Sequence, residues 1–176
     1  DGDVWSGNGF EQSSGSKIGG NLRVDNSSGV TIQIRAAVAG NVYLPSSALV
    51  NVASSLSYST GVPYAIGGTL YATSGVTVGN YSKVRGSVSC YNGSITLGYD
   101  SDVGGNVNTD LNYGGNVTVG PYASIGGGIG ARGNISTDSG ATVNGNIYSY
   151  LGSVSIKANV SGSIYASTTF TTSDAL

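Results

Sequence analysis

A five-residue word, apolar–any–glycine–any–apolar, recurs eight times along the chain and constrains its folding more than any other feature. The copies are Ile18-Gly-Gly-Asn-Leu22, Val38-Ala-Gly-Asn-Val42, Ile66-Gly-Gly-Thr-Leu70, Val84-Arg-Gly-Ser-Val88, Val103-Gly-Gly-Asn-Val107, Ile125-Gly-Gly-Gly-Ile129, Val143-Asn-Gly-Asn-Ile147 and Val160-Ser-Gly-Ser-Ile164. Successive copies start 20, 28, 18, 19, 22, 18 and 17 residues apart. Alternating apolar positions have the period of a strand with one buried face, and no stretch has helical spacing. A coil of about eighteen residues cannot bury its apolar face until a neighbour lies above and below it. The repeat therefore predicts an all-β fold: one domain, a parallel β-helix or β-solenoid with about eight coils of roughly eighteen residues.

Each word is expected to form one strand, followed after a turn by a second: Val30-Thr-Ile-Gln-Ile34, Val50-Asn-Val52, Val76-Thr-Val78, Ile95-Thr-Leu97, Val117-Thr-Val119, Ile135-Ser-Thr137, Val154-Ser-Ile156 and Phe170-Thr-Thr172. Alternation places Ile18, Leu22, Val30, Ile32 and their equivalents in one core. The central glycine is expected to point inward as well, where opposite walls come close. The residues after it, Asn21, Asn41, Thr69, Ser87, Asn106, Gly128, Asn146 and Ser163, are expected to form a ladder of hydrogen bonds between side chains.

Residues 1–17 do not match the repeat and are read as an N-terminal cap or docking arm, with Trp5 and Phe10 covering the first coil or reaching a neighbour. Residues 18–176 are read as the solenoid. The lack of Met predicts a chain that begins after processing, and no apolar run reaches the roughly 20 residues that span a bilayer, so no membrane insertion is expected. Charged residues are 9% of the chain and the formal net charge is −2, which leaves no basic patch for nucleic acid. The partners expected are other copies of the chain, with glycans as a further possibility, and no nucleic acid.

Catalytic and metal chemistry find little to work with. The chain has no His and one Glu, so no cofactor and no enzymatic activity are expected. Asp100 and Asp102 would share one outward strand face and are read as a solvated corner. Cys90 takes the inward place held by Val24, Leu44, Ala72, Thr109, Ala131, Ser149 and Ala166 in other coils, so it is a small core residue before it is a nucleophile. The run Gly126-Gly-Gly-Ile-Gly130 leads to no helix whose N-terminus could hold an anion. Sequons at Asn26, Asn80, Asn92, Asn116, Asn134 and Asn159 permit glycosylation.

Three outward features remain. Thr31, Asn51, Thr77, Thr96, Thr118, Ser136, Ser155 and Thr171 form one rank, too narrow for the paired Thr ranks of ice-binding solenoids. A second row runs Arg23, Tyr43, Tyr71, Ser89, Asn108, Gly130, Tyr148 and Tyr165, and its tyrosines either pack on one another or offer a lateral contact surface. The longest interval holds an insertion, Ala53 to Pro63 with Tyr58 inside it, and insertions in solenoids bulge at corners where they carry contacts.

The spelling of Val103-Gly-Gly-Asn-Val107 through Val117-Thr-Val119, then Ala123-Ser-Ile125, and likewise Ala141-Thr-Val143-Asn-Gly-Asn-Ile147, resembles the bactofilin or polymer-forming protein family over about residues 18 to 166. The resemblance implies a short right-handed β-helix that polymerises end to end without nucleotide. The Tyr, Asn and Thr content points to a secreted or cell-surface relative. The leading expectation is a structural subunit of an extracellular filament, a homopolymer joined head to tail through Trp5, Phe10, Ile18, Leu22, Ile164 and Phe170. The alternative is a surface adhesin or glycan-binding module that uses Tyr43, Tyr58, Tyr71, Tyr148 and Tyr165.

Overall fold

The computed structural model describes residues 2–8, 10–25, 30–32, 36–44, 50–52 and 65–172, with backbone alone for 50–52. Strands of two or three residues stack in parallel into a β-solenoid, and no helix occurs among the described residues. The insertion from Ala53 to Pro63, Tyr58 with it, and the Asn26 sequon lie outside the described residues.

Each complete coil has three faces. The first face stacks nine strands, Val4–Ser6, Leu22–Val24, Val42–Leu44, Leu70–Ala72, Val88–Cys90, Val107–Thr109, Ile129–Ala131, Ile147–Ser149 and Ile164–Ala166. The second also stacks nine, from Phe10–Gln12 and Val30–Ile32 through to Val154–Ile156 and Phe170–Thr172. The third is built of two-residue strands such as Lys83–Val84, Asp102–Val103 and Thr142–Val143, with Ile66 bridging its two segments through Val38 and Val84.

The third face corrects the two-strand reading of the coil. Val103 closes the third face and Val107 opens the first, and the chain bends at Gly104 and Gly105 between them. The five-residue word is therefore a corner, and both of its apolar ends still point inward because the strand turns between them. The central glycine is not in a narrow interior. At Gly145 an added Cβ would lie 2.7 Å from the backbone nitrogen of Gly128 and 2.8 Å from the carbonyl carbon of Gly127. Corners of successive coils rest directly on one another there, so the neighbouring coil excludes a side chain, not the opposite wall.

At the N-terminus the chain covers its own first coil. Val4–Ser6 pairs with Leu22–Val24, and Phe10–Gln12 pairs with Val30–Ile32, so the stretch read as a cap or arm is a ninth layer on the first two faces of its own chain. The spelling hides it because no glycine-centred word precedes it. Val4 and Phe10 take inward places and pack on the core, while Trp5 points outward and is 75% exposed.

Thirty-odd apolar side chains, all but sealed from solvent, make one continuous core along the axis, with Leu22, Ile66, Ile95, Val107, Ile125 and Ile147 fully buried. Gln12, Thr109 and Ser149 are among six polar side chains buried in the described residues. Each of these three has backbone acceptors at hand: Gln12 Nε2 donates to the carbonyls of Ser16 (3.2 Å) and Ala37 (3.0 Å), Thr109 Oγ1 to Gly115 (3.3 Å) and Ser149 Oγ to Gly133 (2.8 Å).

Candidate functional site: the ends and the tyrosine face

At the C-terminal end, Ile164–Ala166 and Phe170–Thr172 each have a strand on one side only among the described residues. Their inward side chains lose the cover that every interior layer has. Val160, Ile164 and Ala166 are only partly buried and Phe170 is 48% exposed. At the other end the edges are Val4–Ser6, Phe10–Gln12 and, on the third face, Lys17–Ile18. Of the residues expected at the junction, Phe10, Ile18, Ile164 and Phe170 belong to terminal layers. Leu22 does not: Val4 lies over it and it is fully buried, so it has no access to a partner. Trp5 stands at the N-terminal edge but on the outer surface, where its Nε1–H donates to Asp25 Oδ2 at 2.6 Å. Arg23 Nε reaches the other carboxylate oxygen at 2.7 Å. The Arg23 guanidinium holds the Asp25 carboxyl below its usual range; burial opposes this and the Trp5 hydrogen bond adds to it.

The outward row of the first face is continuous in register from Trp5 and Arg23 through Tyr43, Tyr71, Ser89, Asn108, Gly130 and Tyr148 to Tyr165. Tyr43 and Tyr71 stack with ring centroids 5.2 Å apart and planes 2° from parallel. Tyr148 and Tyr165 are 6.0 Å apart and tilted by 47°. Between the two pairs the row carries only small side chains. Beside the first pair a groove of about 500 Å³ opens along the corner that follows the face, with Tyr43, Tyr71, Ser89 and Asn108 on one wall and Tyr91 and Asp110 on the other.

Tyr91 and Asp110 went unremarked as partners of this row in the sequence because they lie at the corner, two places along from Ser89 and Asn108. The signal was their spacing. Tyr91 N donates to Ala72 O and Asp110 N to Cys90 O, both at 2.9 Å, so the parallel ladder runs one residue past each strand and carries the corner column into register. Asp110 Oδ1 also accepts the backbone N–H groups of Asn112 (2.8 Å) and Tyr113 (3.0 Å), which fixes its carboxylate at the groove.

Another aromatic column, Tyr81, Tyr99 and Tyr122, was not foreseen either. Its rings meet edge to face at 5.4 Å in both contacts. Tyr81 and Tyr122 occupy the left-handed region, with φ of 60° and 59°, at the third place of four-residue turns where glycine stands in the equivalent turns at Gly15 and Gly140. Asp100 has φ 50° at the same place in its own turn. It is therefore not on a strand and does not share a face with Asp102, which sits in Asp102–Val103 opposite Lys83. No group of three or more metal-ligating side chains occurs among the described residues. Cys90 is buried as expected; its Sγ–H donates to Ser74 O at 2.8 Å, and burial pushes the thiol up to about 11.

The outward rank of the second face runs in register from Glu11 and Thr31 to Ser155 and Thr171 as one file. Comparison of the chain with protein-family models, with curated proteins and with solved structures returned no match.

Proposed function

We propose that the protein is a structural subunit that assembles head to tail into a filament outside the cell, each copy continuing the solenoid of the next. The observation that carries this reading is the uncovered C-terminal layer, where Ile164 is partly buried, Phe170 is 48% exposed and both strand edges are free among the described residues. An edge of unpaired N–H and C=O groups over half-exposed apolar side chains is a template for a further strand. The N-terminal layer has the matching form. Val4 lies in the same inward column as Ile164, and Phe10 in the same column as Phe170, so a copy stacked on the end would extend both columns without a change of register. Such a contact joins two different surfaces and repeats without closing, which gives an open filament. The repeat's resemblance to polymer-forming β-helices supports the same reading. The extracellular placement rests on the outward faces, which are rich in Tyr, Asn and Thr and poor in charge.

The test is negative-stain microscopy of the purified protein beside an Ile164→Lys/Phe170→Lys double variant. Filaments are expected from the parent and none from the variant, with unchanged far-UV circular dichroism in both. Filaments of equal length in the variant, or none in the parent across a range of concentration and salt, would overturn the reading.

A further inference from the structure

From the groove beside Tyr71 we infer a second, lateral function: the first face binds a neutral oligosaccharide lying along the solenoid axis. The site is independent of the ends and goes beyond filament assembly.

Its shape comes from an interruption in the tyrosine row. Tyr43 and Tyr71 stack in parallel one coil apart, and the next place in the row is Ser89, then Asn108. Among the described residues the stack therefore ends at Tyr71 with no ring beyond it in the row, over a space of about 500 Å³ lined also by Tyr91 and Asp110. This is the size range of a ligand site. From Tyr43 to Asn108 the groove follows three inter-coil steps, about 14 Å at roughly 4.8 Å each. An extended chain of small rings fits that outline.

Its chemistry selects the class. The negative face of a tyrosine ring attracts the C–H groups on the apolar face of a pyranose. Ser89 and Asn108 make no side-chain hydrogen bond among the described residues, and Asp110 uses only Oδ1 in its own turn. The groove thus offers a hydroxyl, an amide and an acceptor-only carboxylate oxygen beside aromatic surface. Sugar hydroxyls donate and accept and can satisfy all three. A proline-rich segment brings carbonyl acceptors to the same walls but no donor for Asp110, which would be left desolvated and unpaired. Charge excludes acidic glycans. Among the described lining residues Arg23 is the one cation, and it is held by Asp25, so an anion in the groove would meet Asp110 with no free cation in the lining.

Calorimetric titration of the full chain with cellohexaose, chitohexaose and mannohexaose tests this, with decaproline and a hexagalacturonate as the competing classes. At least one neutral hexasaccharide is expected to bind. Tyr71→Ala should weaken it about tenfold or more. Ser89→Tyr, which places a ring where other coils already carry one, should fill the groove and abolish binding with the fold intact. Thr96→Ala, on the second face, should change nothing. No binding of any neutral hexasaccharide, preferential binding of decaproline or hexagalacturonate, or affinity unchanged by both Tyr71→Ala and Ser89→Tyr would each overturn the inference.

Discussion

Asn41 accepts the backbone N–H of Thr69 at its side-chain oxygen, 2.7 Å away and one coil on, although the two residues are 28 apart in the chain. The same bond recurs from Asn21 to Asn41 N (2.8 Å), from Asn106 to Gly128 N (2.8 Å) and from Asn146 to Ser163 N (2.9 Å). At the corners the strand ladder is broken by the bend, and these side chains take up backbone donors that the ladder leaves over. The polar ladder therefore runs mainly from side chain to the backbone of the next coil, not from side chain to side chain as the aligned Asn and Thr suggest; at its N-terminal end Asn21 Nδ2 also donates to Asp3 Oδ1 at 3.2 Å. Ser94, Asn116 and Asn134 build a second such series into Asn116, Asn134 and Ser153.

An acceptor is what the corner requires, and Asp3 shows that a carboxylate serves, since its Oδ1 takes Asn21 N at 2.7 Å. Asn41→Ala should lose about 1 kcal/mol in urea denaturation by stranding the Thr69 N–H. Asn41→Asp should stay close to the parent. Equal losses in both would mean that the amide's donor, which reaches the Tyr43 hydroxyl at 3.0 Å, matters more than its acceptor.

Inward and outward faces are separable one residue apart. Val107 is fully buried between Val88 and Ile129, whereas Asn108 is exposed on the first face. A carboxylate at 107 would be unpaired in a dry interior, so Val107→Asp should cost about 3 kcal/mol or more and abolish the cooperative thermal transition. Asn108→Asp should shift the melting temperature little. Comparable losses would mean that the strand alternation is wrongly assigned.

Much of this was legible in the sequence because the inward residues of a parallel stack must repeat in type. The columns through Val107 and Val117 are spelled in every coil, and Cys90 was placed inside by the same alignment. What the spelling could not give is where the coil bends. An apolar residue on each side of a glycine reads equally well as one strand or as two strands meeting at a corner, because both put the apolar pair inward. The N-terminal layer was hidden for a related reason: Val4 and Phe10 carry the pattern of the two long faces but lack the glycine word that marks the corner. The groove escaped notice because its walls come from two columns, and the row of tyrosines suggests contacts only where tyrosine is present. Here the absence of a ring at Ser89 creates the space.

Close stacking of the corners makes a cost for added volume that depends on position. At Gly145 a methyl group would press on the backbone of Gly127 and Gly128, which cannot swing aside as a side chain would. Gly145→Ala should therefore destabilise by about 1–3 kcal/mol through local separation of the two coils. Gly7, which has nothing within 4 Å of the same methyl, is the control, and Gly7→Ala should be near neutral. Thermal unfolding of the two variants decides it, and a Gly145→Ala protein as stable as the parent would show that the coils yield there without cost.

The Trp5 to Asp25 hydrogen bond gives an optical report on whether the N-terminal layer is docked, since Trp5 is the one Trp in the chain. Asp25 is held below its ordinary value, first by Arg23 and then by Trp5 against the opposing effect of burial. A carboxyl depressed in the folded state contributes stability above its unfolded value, and loses that contribution as the pH falls through its folded value. The emission of Trp5 should thus be constant at neutral pH and change in acid, with a midpoint below the ordinary Asp value of about 3.9. Arg23→Gln should move the midpoint upward, because the largest cause of the depression is gone. Asp25→Asn should remove the transition while far-UV circular dichroism stays unchanged over the same pH range. A parent midpoint at or above the ordinary value, or one that ignores the loss of Arg23, would mean that Trp5 and Asp25 are not joined in solution and that the first layer is not held as described.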